Sequence, residues 1–438
     1  LDMWLNTTGN GRGMFMKKTT ALWCGTAAAL CVLLIGCRSQ NISDSAATRH
    51  AGNADSSPAD ASSQAANSDT QDAASAESST EAAESSSQEA ASVSARVQQM
   101  TLEEKVCQKF IVTPESLTGF NGTVVAAGDT TRTALETYPV GGLIYFSANL
   151  ETQEQTREML TNTQNYAQEL SGIGVFLAVD EEGGTVARAA DSLGTTAFSD
   201  MSVYGADADT EKANEIGSTI GNDLKALGFN LDFAPVADVN LNSKNELGNR
   251  IFSSDPDVVA SMSAGVVTGL QNSGVCATLK HFPGLGAGDG NTHRGSVYIE
   301  RTLEELEQAE FPAFQGGIAA GADFVMVGHQ ITSGSGDNLP GDLSSVVVTQ
   351  WLKNELGFQG IVITDAQNMG AITANYSPGE AAVQSFAAGV DIVLMPDNLP
   401  EAVDAVVKAV ENGTLEESSI DESVTKILTK KEKSGLLS

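Results

Sequence analysis

Polar residues with catalytic potential recur in this sequence at the ends of short apolar runs. Asp180-Glu181-Glu182-Gly183-Gly184 follows the run Val175–Val179, and Asp238 and Arg250 come after Leu231–Ala234. Lys280-His281-Phe282-Pro283-Gly284 closes Ala277–Lys280, His329 follows Phe324–Val327, and Asp365 follows Ile361–Thr364. Three of the four histidines, His281, His293 and His329, fall in these segments; the fourth, His50, lies in a polar N-terminal stretch. Carboxylates and imidazoles are the groups that serve as nucleophiles and as general acids and bases. Charged groups after five different apolar runs are hard to explain as solubility alone. Glu181 and Glu182 resemble an acid/base pair, but adjacent residues at a strand end point to opposite sides, so at most one faces a shared pocket. No set of His, Cys and carboxylate side chains has metal-ligand spacing, so neither a metal nor a cofactor is implied.

The elements that must position these residues alternate along the chain. Strand-like runs occur at Phe110–Thr113, Gly142–Phe146, Val175–Val179, Leu231–Ala234, Ala277–Lys280, Phe324–Val327, Ile361–Thr364 and Ile392–Met395. Most are continuously apolar, as parallel strands covered on both faces should be. Helical patterns fall between them, at Gln153–Leu170, Glu211–Leu227, Pro256–Asn272, Thr302–Ala319, Ser345–Leu356 and Leu399–Asn412. Thr101 with Glu104, and Thr302 with Glu305, have capping-box spacing. Repeated βα units of this kind predict an α/β fold, a single (β/α)8 TIM-type barrel over residues 96–438. In such a barrel the active site lies at the C-terminal ends of the strands, where the polar residues above fall. A doubly wound open sheet is the alternative, but no G-x-G-x-x-G fingerprint opens the first βα unit. With the sequence given ending at Ser438, a single globular domain is expected.

Three segments taken in order resemble glycoside hydrolase family 3, in its β-N-acetylhexosaminidase branch: Asp180-Glu181-Glu182-Gly183-Gly184, Lys280-His281-Phe282-Pro283-Gly284 and Ile363-Thr364-Asp365-Ala366-Gln367-Asn368-Met369. The resemblance runs from about Val97 to about Leu437. It implies a retaining exo-β-N-acetylglucosaminidase with a carbohydrate substrate, working through a covalent glycosyl-Asp intermediate. Asp365 would be the nucleophile. His293, in a loop after the fifth strand, would be the acid/base, because this branch uses a His normally paired with an Asp two residues earlier. Here that position is Asn291, which departs from the pattern; Asp289 is a possible substitute, and Gly286, Gly288 and Gly290 suit a moving loop. Asp180, Arg250, Lys280 and His281 would bind the sugar. Arg188 reads as ordering the Gly183-Gly184 loop, Asp238 as a structural acceptor, and His329 either as orienting Lys280 or Asp365 or as touching sugar. Two other functions stay open: a phosphorylase of the same branch, since a neutral imidazole repels phosphate less than a carboxylate does, and a weakly catalytic wall-binding lipoprotein, motivated by Asn291. A β-glucosidase fits less well, because such enzymes usually carry a second domain.

The N-terminal part predicts where the chemistry takes place. Lys17 and Lys18 precede an apolar run, Ala21–Gly36, that is short for a membrane span and ordered like a signal peptide. Leu34-Ile35-Gly36-Cys37 resembles a bacterial lipobox, which would lipidate Cys37 and anchor the protein to the membrane outside the cytoplasm. Residues 1–15 fit no export signal. Residues 38–95 contain no Phe, Tyr or Trp, and only Ile42 and Val93 among aliphatics larger than Ala. Such a segment cannot offset its ordering entropy and reads as a disordered tether. It could reach roughly 200 Å extended, or about 40–45 Å as a coil. A net charge of −32 over 438 residues argues against nucleic acid as a partner. Of the five cysteines, Cys107 and Cys276 lie in the predicted domain. One disulfide is possible there, and two buried free thiols are the preferred reading. Oligomeric state is not legible.

Overall fold

The computed structural model describes residues 92–438. The expected signal peptide, Cys37, His50 and most of the tether lie outside the described residues. Residues 92–99 are helical and bring Val93 (1% exposed) and Val97 into the core, so the last few residues assigned to the tether belong to the fold.

Eight strands form one sheet in which every neighbouring pair is parallel. They are β1 (Phe110–Val112), β2 (Gly142–Ile144), β3 (Phe176–Val179), β4 (Leu231–Asp232), β5 (Cys276–Phe282), β6 (Phe324–Val327), β7 (Ile361–Thr364) and β8 (Val393–Leu394). The order follows the sequence from β1 to β7, β8 pairs with β1, and a parallel bridge between Ile363 and Ile392 brings β7 to the last strand. That is the (β/α)8 barrel the sequence predicts. The continuous apolar runs are explained by burial on both faces. On β6, Phe324 and Met326 join the barrel interior, while Val325 and Val327 pack under the helices. Inside, the rings of Phe176 and Phe324 meet edge to face, centroids 5.3 Å apart. Such a pair adds about 0.5–1.5 kcal/mol beyond its area burial.

Two expected helices differ in detail. The segment 302–319 breaks at Ala309 into Leu303–Gln308 and Glu310–Ala319. Pro312 explains the break, because it has no N–H for Gln308 and its ring would clash with that carbonyl. The break frees Glu310 to take Arg301 in a forked pair, at 3.1 and 2.9 Å. Residues Val346–Glu355 form a wider π-helical turn set, with Leu356 N–H donating to Trp351 O. The base of the barrel is closed by the helix Glu417–Lys433, whose Ile427 enters the interior cluster and whose Lys431 Nζ donates to Gln108 Oε1 at 2.7 Å. Cys107 and Cys276 are buried free thiols, as preferred.

Candidate active site

At the C-terminal ends of the strands lies a cavity of about 220 Å³. Asp180, Lys280, His281, Arg250, His293 and Asp365 all line it, so the structure brings together every candidate residue of the folded part except Asn291. Phe233, Met326 and Leu394 also line the cavity, giving an apolar surface among the charges.

Asp365 follows β7 directly. Its Oδ1 accepts the Ala366 N–H at 2.8 Å. Burial alone would raise its pKa, but His329, His281, the Ala366 N–H and Lys280 outweigh burial and hold it below the usual carboxylate value. It is therefore ionised at neutral pH, as a nucleophile must be. His329, at the end of β6, does not line the cavity. Its Nδ1 meets Asp342 Oδ1 at 2.9 Å, and its Nε2 meets Ala366 O at 2.9 Å. Burial disfavours its cation, but Asp342 and then Asp365 overcome this and raise the pKa to about 9. Both ring nitrogens then donate, and the imidazolium fixes the residue next to Asp365. Of the two roles left open for His329, the structure selects orientation.

A charge network also lines the cavity. Lys280 Nζ pairs with Asp180 Oδ1 at 2.8 Å and with Glu182 Oε1 at 2.6 Å. Arg250 grips Glu182 in a fork, Nε to Oε2 at 2.8 Å and Nη2 to Oε1 at 2.7 Å. Burial opposes ionisation of Glu182, but Arg250 and Lys280 pull its pKa down to about 2. Glu182 is thus a site residue that the sequence reading did not single out. The alternation argument does hold: Glu182 faces the cavity, while Glu181 turns away and accepts Ala189 N–H at 2.6 Å and Ala190 N–H at 3.1 Å at a helix start. Burial pushes Glu181 up to about 7 despite these two donors. The turn that follows them, from Glu181–Gly183 back to Val186–Ala187, has Gly183 at φ 84° and Gly184 at φ 60°. A Cβ on Gly184 would also sit 2.6 Å from Asp200 Oδ1.

Lys280 and His281, joined by a cis peptide bond, both line the cavity. His281 Nδ1 contacts Asp238 Oδ2 at 2.8 Å, leaving Nε2 as the free ring nitrogen. Asp238 also accepts the N–H groups of His281 and Leu285, which makes it the structural acceptor expected. Arg188 differs from expectation. It lines the cavity rather than bracing the glycine turn, with its guanidinium 6.0 Å from the Phe146 ring. Its buried Nε has no hydrogen-bond partner among the described residues.

The loop carrying His293 departs most from expectation. The Asn291 side chain does not orient the imidazole: its Oδ1 accepts the backbone N–H of His293 at 3.1 Å, closing a local turn. Asp289 does not substitute, because it pairs with exposed Lys244 at 3.4 Å. The loop glycines sit in close contact with their surroundings. A Cβ on Gly286 would meet Val239 O at 1.9 Å, and Gly288 lies against Leu285 and Val297, so these residues allow close packing. Among the described residues no group of three or more His, Cys, Asp or Glu is placed to hold a metal ion.

The model of the glycosyl hydrolase family 3 N-terminal domain matches residues 101–430. A β-hexosaminidase of Stenotrophomonas maltophilia is 33% identical over 316 residues, covering 69% of this chain and 89% of that protein. β-Hexosaminidase A of Pseudoalteromonas piscicida is 31% identical, covering 68% of this chain, which spans only 54% of that longer protein. Among solved structures, a family 3 β-N-acetylglucosaminidase from Paenibacillus sp. FPU-7 superposes with a TM-score of 0.72 at 36% identity, over 77% of this chain and 63% of that one.

Proposed function

Because the chain belongs to glycosyl hydrolase family 3, we propose that its cavity removes a terminal β-linked N-acetylhexosamine, in the manner of a retaining exo-β-N-acetylglucosaminidase. The observation that carries this reading is an ionised Asp365 in the same cavity as an imidazole, His293, with the paired charges of Lys280, Glu182, Arg250 and Asp180 lining it. The cavity is smaller than the roughly 300–1,000 Å³ of drug-sized sites, which suits one sugar unit and exo action.

In the proposed reaction, charged donors and acceptors take the sugar hydroxyls and the acetamido group. Hydrogen bonds to charged groups contribute about 1.5–3 kcal/mol each, and the Lys280 network is already assembled, so little reorganisation is needed. Asp180, Arg250, Lys280 and His281 fill this role, with the Arg188 guanidinium beside them in the cavity. An Asp365 carboxylate oxygen attacks the anomeric carbon. The bond to the leaving oxygen breaks and that oxygen takes a proton from His293. The neutral imidazole then removes a proton from water, whose oxygen displaces Asp365 and completes hydrolysis with retention. A phosphorylase reading has one supporting observation, the Arg188 guanidinium in the cavity, which makes no ion pair within 4.0 Å among the described residues. Release of sugar 1-phosphate in phosphate buffer would favour it over hydrolysis.

The deciding measurement is turnover of an aryl β-N-acetylglucosaminide by the full chain. Asp365→Ala should lower kcat by on the order of 10³-fold or more, since the covalent route is lost. Equal, near-background rates for both proteins would leave only a sugar-binding role. Lipidation at Cys37 and attachment outside the cytoplasm, with cell-wall fragments as the natural substrate, complete the proposal. Membrane association that survives Cys37→Ala would refute the anchor.

A further inference from the structure

We infer that Glu246, on the loop after β4, is the residue that positions His293 for proton transfer; the inference rests on the hexosaminidase reading of the same cavity. Glu246 belongs to no motif read from the sequence, yet it lines the cavity alongside His293. Its Oε1 accepts two hydrogen bonds from Thr292, the residue before His293: from the backbone N–H at 2.9 Å and from Oγ1 at 2.8 Å. Thr292 is 2% exposed, and its carbonyl accepts the Ala371 N–H at 3.0 Å. The His293 carbonyl accepts the Gly370 N–H at 3.3 Å. The peptide that carries the imidazole is therefore held from two sides, by a carboxylate from the β4 loop and by backbone from the β7 loop.

Position 291 cannot supply this hold, since Asn291 is used on the His293 N–H, and Asp289 is engaged with Lys244. Bonds from N–H and O–H to a carboxylate are about twice as strong as neutral ones. Placement matters because a general acid must come within about 2.6–3.2 Å of the oxygen it protonates. Glu246 is not bonded to Lys280, Asp180, Glu182 or Arg250 among the described residues, so its loss leaves the sugar-binding wall in place.

The test compares Glu246→Ala and Glu246→Gln in the full chain, on two substrates. One is N,N′-diacetylchitobiose, whose leaving oxygen needs a proton; the other is 2,4-dinitrophenyl β-N-acetylglucosaminide, whose leaving group departs without one. Glu246→Ala should lower kcat/KM on chitobiose by about 10–100-fold, the scale of a misplaced general acid. On the activated substrate it should stay within about threefold, and N-acetylglucosamine should inhibit it as it does the wild type. Glu246→Gln keeps an acceptor for Thr292 and should stay within about fivefold of wild type on both. Equal loss on both substrates, no loss on either, or a Gln variant as impaired as Ala would each overturn the inference. Thr292→Val, which removes one of the two bonds, should fall between wild type and Glu246→Ala; a wild-type profile for it would count against the clamp. An active wild type, with a Glu246→Ala loss that does not depend on the leaving group, refutes the role of Glu246 alone. Failure of the wild type on both substrates refutes the hexosaminidase reading and takes this inference with it.

Discussion

The two ends of the barrel bury cationic side chains in opposite ways. At the mouth, Lys280 is 2% exposed, but Asp180 and Glu182 hold its ammonium at 2.8 and 2.6 Å and raise its pKa against the pull of burial. At the base, Lys431 is fully buried, donates to the amide oxygen of Gln108 and lies 5.3 Å from the centre of the Phe176 ring, with no carboxylate within 4.0 Å among the described residues. Burial drives its pKa far down. Lys109 lies over the Phe386 ring at 4.2 Å, and burial lowers it to about 7 despite Asp391. A buried charge survives only with partners; otherwise the group gives up its proton. The mouth thus keeps ionised groups ready for a polar ligand, while at the base burial weakens the charge of Lys431 and Lys109.

Lys280→Met should separate the two ends most sharply. It removes a partner from a buried pair, a change that typically costs about 3–5 kcal/mol. Melting and aryl-glycoside turnover should both fall, and an unchanged Tm would mean that the network is not the preorganised wall described. Lys109→Met should act through pH. The folded pKa lies below that of an unfolded lysine, so the unfolded chain binds more protons between about pH 7 and 10.4, and stability rises with pH across that window. The advantage of the Met variant should be greatest at and below pH 7 and vanish near pH 10. Denaturant melts at both pH values check this, and a constant gap would mean that Lys109 stays charged. Lys431→Met should act in the same direction as Lys109→Met, because burial lowers the Lys431 pKa too, offset by loss of the bond to Gln108, and it should leave activity alone.

Sequence was most informative where physics is local. Continuous apolar runs located all eight strands, and strand ends located Asp180, Lys280, His281 and Asp365. It was weaker where a role depends on another loop. Glu182 was visible as one of two adjacent glutamates, but its place in the site comes from Arg250, 68 residues away. Glu246 carries no local signal at all, since it meets Thr292 only because the loops after β4 and β5 are neighbours on the rim. Asn291 shows the reverse failure: spacing suggested a partner for the imidazole, whereas a short amide side chain satisfied its own backbone first. The break at Ala309 was legible in Pro312, but the intact helical period around it masked that cue.

The Ala366 N–H makes the two oxygens of Asp365 unequal. Oδ1 is engaged at 2.8 Å, and His329 holds the same residue by its carbonyl, so the donor cannot readily turn aside. In the proposed reaction Oδ2 is then the oxygen that bonds to the sugar, and Oδ1 becomes the carbonyl oxygen of the ester. When water breaks that ester, negative charge returns to a carboxylate whose Oδ1 already rests on a fixed donor. The backbone would thus serve the departure of the enzyme's own leaving group, a task distinct from holding the nucleophile still.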